Sequence, residues 1–172
     1  MTVKDLNPTE YNSYYGPYIK KLPENLALID GFTEGLDNVL QFFHSIPSEK
    51  LEYRYAEGKW SVKEVFQHII DTERVFMYRC FRIARHDKTP LPGFNQDDYI
   101  MPSQAHKKSM ATLLLEYSSV RKNSITLLNS LSDEDLKFVG TASENTLSAR
   151  AAAFIILGHE IWHIDVIKTH YL

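Results

Sequence analysis

The chain has 172 residues, a formal net charge of -3, 44% hydrophobic and 24% charged residues, and a sequence pI near 6.2. This is the composition of one globular domain, residues 1–172, long enough to bury roughly 70% of its unfolded surface without disulfides. The mild acidity excludes a nucleic-acid footprint, which needs clustered Lys and Arg. The single cysteine, Cys80, excludes an internal disulfide and predicts a reducing cytoplasm, and the longest apolar run, Ala151 to Leu157, falls far short of a membrane span.

Residues 1–23 read as an N-terminal arm, polar and Tyr-rich from Tyr11 to Tyr18, with no apolar signal core. The first long helical pattern runs from about Asn25 to Ile46, with Leu26, Ile29, Leu36, Val39, Leu40 and Phe43 near helical spacing, interrupted by Gly31 and Gly35. The second begins at Ser61, an N-cap answered by Glu64 three residues later, with Trp60 placed to staple onto Val65, and continues to about Arg85. Leu91 to Pro102 carries prolines and the pair Asp97-Asp98, so it reads as a long ordered loop. A third helix is expected from about Ser103 to Leu131, followed by a short turn capped at Ser132. A fourth runs from Ser148 nearly to the carboxyl terminus and is apolar almost all round, so it must be enclosed by the others. Alternating β patterns of useful length are missing. The expected fold is all-α, a four-helix bundle with a long loop between the second and third long helices.

Seven histidines are present. His159 and His163 are i, i+4 on the last helix, in register with Ile155, Ile156, Val166 and Ile167, and His68 lies on the core stripe of the second helix beside Val65, Ile69 and Val75. All three are expected to point inward. Burying three imidazoles is costly unless each finds a partner, and one divalent metal satisfies all three acceptor nitrogens while leaving coordination positions open. Zn and Ni are the expected metals among those that accept imidazole. The string His159-Glu160-Ile161-Trp162-His163 matches H-E-x-x-H, but only nine residues follow His163 and no substrate strand is evident, so a protease is a minority reading. A carboxylate-bridged di-metal bundle would need a second Glu-x-x-His pair and is disfavoured.

The strings Gly58-Lys59-Trp60-Ser61-Val62-Lys63-Glu64, His68-Ile69-Ile70-Asp71-Thr72-Glu73, Leu91-Pro92-Gly93-Phe94 and Gly158-His159-Glu160 with His163 resemble the DinB-like family, which includes YfiT-like metal-dependent hydrolases. The resemblance covers most of the chain after about Leu26 and leaves the Tyr-rich arm outside it. It implies an antiparallel four-helix bundle, commonly a homodimer, whose metal ligands are His68, His159 and His163. It also implies a metal that activates a low-molecular-weight thiol cofactor for transfer or isomerisation. On that reading the chain is a metal- and thiol-dependent S-transferase acting on small electrophiles. The alternatives are a hydrolase using metal-bound water and a non-catalytic bundle with a vestigial site. Glu160, about 100° round the helix from His159, is the candidate catalytic general base, and Asp71 a candidate partner for a ligand imidazole. Arg79, Arg82, Arg85 and Lys88 are candidates to bind carboxylates of a thiol cofactor but read rather as solvated helix-end cations, Cys80 as core filler, and His44, His86, His106 and His170 as helix-end or surface residues.

Overall fold

The computed structural model describes residues 1–172. In chain order the elements are α1 (Gly16–Ile19), α2 (Leu28–His44), α3 (Val62–Ala84), α4 (Asp97–Ser103), α5 (Met110–Asn129), α6 (Asp133–Lys137), β1 (Val139–Ala142), β2 (Asn145–Ser148) and α7 (Ala149–His170), with short 3-10 turns between them. No helix is long and apolar enough to cross a membrane.

Three of the four long helices, α3, α5 and α7, begin where a serine side chain satisfies an unpaired N–H group, whereas α2 starts at Ala27 without a side-chain cap. The Ser61 hydroxyl accepts from the Glu64 N–H at 3.3 Å, and the Glu64 carboxylate accepts from the Ser61 N–H at 2.7 Å, the reciprocal box expected of this sequence. Ser148 caps α7 by accepting from the Ala151 N–H at 3.0 Å, and Ser132 caps α6 as expected. The third long helix starts later than expected. Pro102 and a left-handed Gln104 (φ 50) stop the chain after the short α4, and Ser109, accepting from the Thr112 N–H at 3.0 Å, starts α5 afresh. The expected absence of β structure is also corrected. β1 and β2 form an antiparallel hairpin closed by Ser143 and Glu144, both at positive φ (50 and 63), and Leu91 bridges to Ala142. Four-residue strands without an Asn-Gly turn are too short to register as alternation.

The four long helices form the bundle. α3 packs on α7 and α5, and α2 packs on α5 and α7, so α2 and α3 lie across one diagonal. The core is divided into two apolar clusters. One holds Leu28, Phe32, Phe76, Met77, Leu128 and the Ala149 to Leu157 run. The other holds Val39, Phe43, Val62 to Ile70 in part, Leu113, Tyr117 and Ile167. Along α2 and α7 the chain passes from the first cluster to the second, and along α3 and α5 from the second to the first. Neighbours α2/α5 and α3/α7 are therefore antiparallel, and α3/α5 run the same way. That parallel pair is what requires the long crossover of residues 85–109.

Candidate metal centre

Between the two apolar clusters lie a half-buried glycine, Gly35 on α2, and the buried polar residues His68, Thr72 and Glu73 on α3, Arg121 and Ser124 on α5, and His159 and Glu160 on α7. The histidines are on facing helices. His68 Nε2 lies 2.9 Å from His159 Nε2, and His163 Nε2 lies 3.1 Å from the same atom. One ring nitrogen from each of the three falls within 4.8 Å of the others. The i, i+4 spacing on α7 stacks His159 and His163 on one face, and the antiparallel packing of α3 brings His68 across to meet them.

These imidazoles are neutral. Burial pushes the His68 pKa down to about 3, with the His163 charge adding to the effect, and burial alone pushes His163 down to about 4. His159 is held well below the ordinary range by burial, then by His163 and His68. A single Nε2 has one in-plane site, a proton or a lone pair, so His159 cannot make good hydrogen bonds to both neighbours at once. A cation between the three would satisfy all of them. A tetrahedral centre with Zn–N bonds of about 2.0–2.1 Å sets its nitrogens about 3.3–3.4 Å apart, close to the 2.9 and 3.1 Å that separate His159 Nε2 from the other two. The donor set thus fits a divalent ion with three neutral nitrogens, and no carboxylate belongs to the cluster.

Aromatic rings enclose the centre. Trp60 lies 4.8 Å from the His68 ring and Tyr18 5.4 Å from the His159 ring, edge to face. Tyr18 belongs to the N-terminal arm, which the sequence left without a role. The arm lies so close to α7 that a Cβ on Gly158 would meet the Tyr18 carbonyl oxygen at 2.2 Å. Farther along, the Glu10 carboxylate takes the Arg150 guanidinium and accepts from the Ser148 hydroxyl at 2.7 Å. Two cavities flank the histidines. One, of about 290 Å³, reaches His159 beside Tyr18, and the other, of about 320 Å³, reaches His163 beside Trp60.

Other sequence-singled residues fall elsewhere. Glu160 does not join the histidines. Its carboxylate accepts from Arg121 Nη2 at 2.6 Å and from the Tyr117 hydroxyl at 3.0 Å. Arg121 also chelates Glu73, with Nε to Oε1 at 2.9 Å and Nη2 to Oε2 at 2.8 Å, and the Ser124 hydroxyl donates to Glu73 at 2.7 Å. Burial raises the Glu160 carboxyl pKa, against the opposing Arg121 charge. The expected general base is thus a member of a buried ion cluster. Asp71 accepts from Gln67 and Arg74 at 3.0 and 2.9 Å and makes no bond to an imidazole. Cys80 is fully buried, and burial pushes its thiol up to about 12, which suits core filler. His44, His86, His106 and His170 are exposed.

The sequence reading missed Glu73 and Arg121, although a signal exists. Tyr117, Arg121, Ser124 and Leu128 share one helical stripe, as do Ile69, Glu73, Phe76 and Cys80, so both charges sit on core faces.

The model of the DinB superfamily matches residues 32–167. A protein of Oceanobacillus iheyensis named "Putative metal-dependent hydrolase" is 26% identical over 154 residues, 87% of this chain and 85% of the relative. A protein of the same name from Bacillus cereus is 24% identical over 154 residues, 86% of each. Among solved structures, YfiT from Bacillus subtilis, described as "a probable metal-dependent hydrolase with an unusual four-helix bundle topology", aligns with a TM-score of 0.73 and 18% identity over 87% of this chain and 90% of that one. Its likeness shows a shared fold. With the family model spanning most of the bundle, the chain belongs to the DinB superfamily.

Proposed function

We propose that the chain is a metal-dependent hydrolase of small molecules, with His68, His159 and His163 as the ligands. The observation that carries this is the convergence of three neutral imidazoles, two buried and that of His163 half-buried, without a carboxylate among them. A divalent metal held there supplies Lewis acidity and lowers the pKa of a coordinated water or thiol towards neutral. The protein's own contribution is to keep the three nitrogens deprotonated, to fix their direction by packing between α3 and α7, and to limit water through Tyr18 and Trp60. The names of the relatives support hydrolysis.

One observation favours a second reading, thiol-dependent S-transfer. Glu160 is engaged by Arg121 and Tyr117 and is not free to assist water at the triad, and a thiol ligand would need no such base. The test is turnover of an ester and amide panel by zinc- or nickel-loaded protein, with and without low-molecular-weight thiols. Hydrolysis without thiol that disappears in His159→Ala is the expected result. Turnover of an epoxide or aryl halide only with added thiol would favour transfer, and a metal closed by a fourth protein ligand with no turnover would make the site structural.

A further inference from the structure

Four cations are buried in the molecule: Lys63, Arg79, Arg121 and Arg150. Three face carboxylates, Lys63 on Glu52, Arg121 on Glu73 and Glu160, and Arg150 on Glu10. Arg79, expected to be a solvated helix-end cation, is instead 2% exposed, because it lies on the core stripe of α3 more than a turn before the helix ends, and it has no carboxylate partner. A buried guanidinium without a counter-charge is costly, so an anion supplied from outside is the natural complement. Its Nη2 donates to the Pro92 carbonyl at 3.1 Å and to the Ser143 hydroxyl at 2.8 Å, which holds the crossover loop against the hairpin turn. The guanidinium carbon lies 5.0 Å from the Phe76 ring centroid and 5.6 Å from that of Phe94. These contacts fix the fork and leave its other nitrogens free of protein acceptors.

Arg79 lines the same 290 Å³ cavity that reaches His159. An independent observation marks this cavity. Thr72, 4% exposed and one turn beyond His68, also lines it, and Thr72 Oγ1 is a buried side-chain oxygen with no hydrogen-bond partner. Buried hydroxyls are normally satisfied, so an unpartnered one on a residue of this cavity wall is unusual. Thr72, Phe76, Arg79 and Ile83 form one stripe of α3, which explains how a hydroxyl, a ring and a cation come to face one space.

We propose that this cavity is the substrate pocket of the metal centre and that it takes a small monocarboxylate. Its carboxylate would sit on Arg79, its apolar body against Phe76 and Phe94, and its reacting group towards His159, with Thr72 bonding a polar atom between. The inference rests on the metal-centre reading above. The size lies at the bottom of the range of about 300–1,000 Å³ for small-ligand sites, which excludes a polymer. The charge selects the ion. Asp97, the single carboxylate on the wall, weighs against a phosphate dianion, and with Nη2 taken by Pro92 and Ser143 the free Nε and Nη1 of Arg79 each offer a charge-assisted bond to a carboxylate oxygen.

The test is calorimetric titration of zinc-loaded protein with phenylacetate and with its neutral isostere phenylacetamide. Phenylacetate is expected to bind at least about tenfold more tightly, as charge-assisted bonding implies. Arg79→Met is expected to erase that preference while zinc content and the melting temperature hold, and Thr72→Val to weaken binding several-fold. His163→Ala, lacking the metal, is expected to keep an Arg79-dependent preference, which separates the anchor from direct coordination of the carboxylate. Should Arg79→Met fail to fold, Arg79→Lys keeps the charge but not the Nε and Nη1 donors and is expected to cut the preference several-fold. Equal binding of acid and amide, no binding of either at millimolar concentration, or a preference unchanged by substitution of Arg79 would overturn the proposal. Protein that takes up no zinc yet keeps the Arg79-dependent preference would sink the metal-centre reading and leave the anion pocket standing.

Discussion

A methyl group at Gly158 would collide with backbone, the Tyr18 carbonyl at 2.2 Å for oxygen and 2.5 Å for carbon, and neither a rotamer change nor a flexible tip can relieve it. Gly158→Ala is therefore expected to push the arm off α7 and to lower stability by about 1–3 kcal/mol, the usual range for overpacking. Urea denaturation measures this, and a wild-type midpoint would refute the close approach. Gly35 is constrained differently, since a Cβ there would meet Arg121 Nη1 at 2.8 Å and Glu160 Oε1 at 3.0 Å. A Cβ on Gly31 would meet Leu157 Cδ1 at 2.6 Å, so both glycines that interrupt the first helical pattern, Gly31 and Gly35, are explained by what packs on them. Arg121→Met leaves Glu73 and Glu160 buried without their cation and is expected to cost about 3–5 kcal/mol. Glu160→Gln, which can still accept from Arg121 and Tyr117, is expected to cost much less and to leave turnover within a few-fold of wild type. A loss of a hundredfold or more with stability intact would restore Glu160 as a general base. The inward face of the three histidines was legible from spacing because each helix reports its own periodicity. The ion cluster was not, because its partners are 48 and 39 residues apart in the chain and pairing across helices leaves no local trace.

Among the elements, caps were the clearest signals. Ser61 with Glu64, Ser148 and Ser132 each mark a start that the structure keeps. The third start was expected at about Ser103 and falls at Ser109, because the stop imposed by a left-handed Gln104 depends on backbone that side-chain patterns do not encode. The arm was illegible for a related reason: its 3-10 turns carry no period, and its order comes from long-range contacts. Glu10 is its principal anchor, set against Arg150 and Ser148 and helped by Lys21 on Asp165 at 2.7 Å, the latter pair too exposed to contribute much. Glu10→Ala is expected to leave Arg150 without its carboxylate and to loosen residues 1–23 ahead of the bundle. Hydrogen exchange reads this directly: faster amide exchange confined to the arm is the expected pattern, and unchanged protection there would show that the Tyr18 and Gly158 contact alone holds it.

At the scale of the molecule, a polar layer crosses the middle of the bundle and divides two apolar clusters, each large enough to keep the helices together. Chelation, or His163→Ala, is therefore expected to remove the metal and leave the far-ultraviolet dichroism of a folded helical protein, whereas global unfolding would mean that the ion is structural. The same layer sets how the metal-free protein responds to acid. His68 takes up a proton at about 3 when folded and at 6.5 when exposed, and His163 at about 4, because burial penalises the imidazolium. Between those limits the unfolded chain binds protons that the folded chain does not, so stability rises with pH through this window and levels off above about 6.5. Each fully buried imidazole contributes a slope on the order of 1 kcal/mol per pH unit. The raised Glu160 carboxyl contributes a slope of opposite sign, which Glu160→Gln removes. Urea midpoints of chelated protein are expected to fall steadily from about pH 7 to about pH 5, more steeply in Glu160→Gln and less steeply in His163→Ala, which has one fewer imidazole to protonate on unfolding. A flat profile in all three proteins would mean that the imidazoles are not held neutral by the fold, and would remove the reason for expecting them to be ready for a cation at neutral pH.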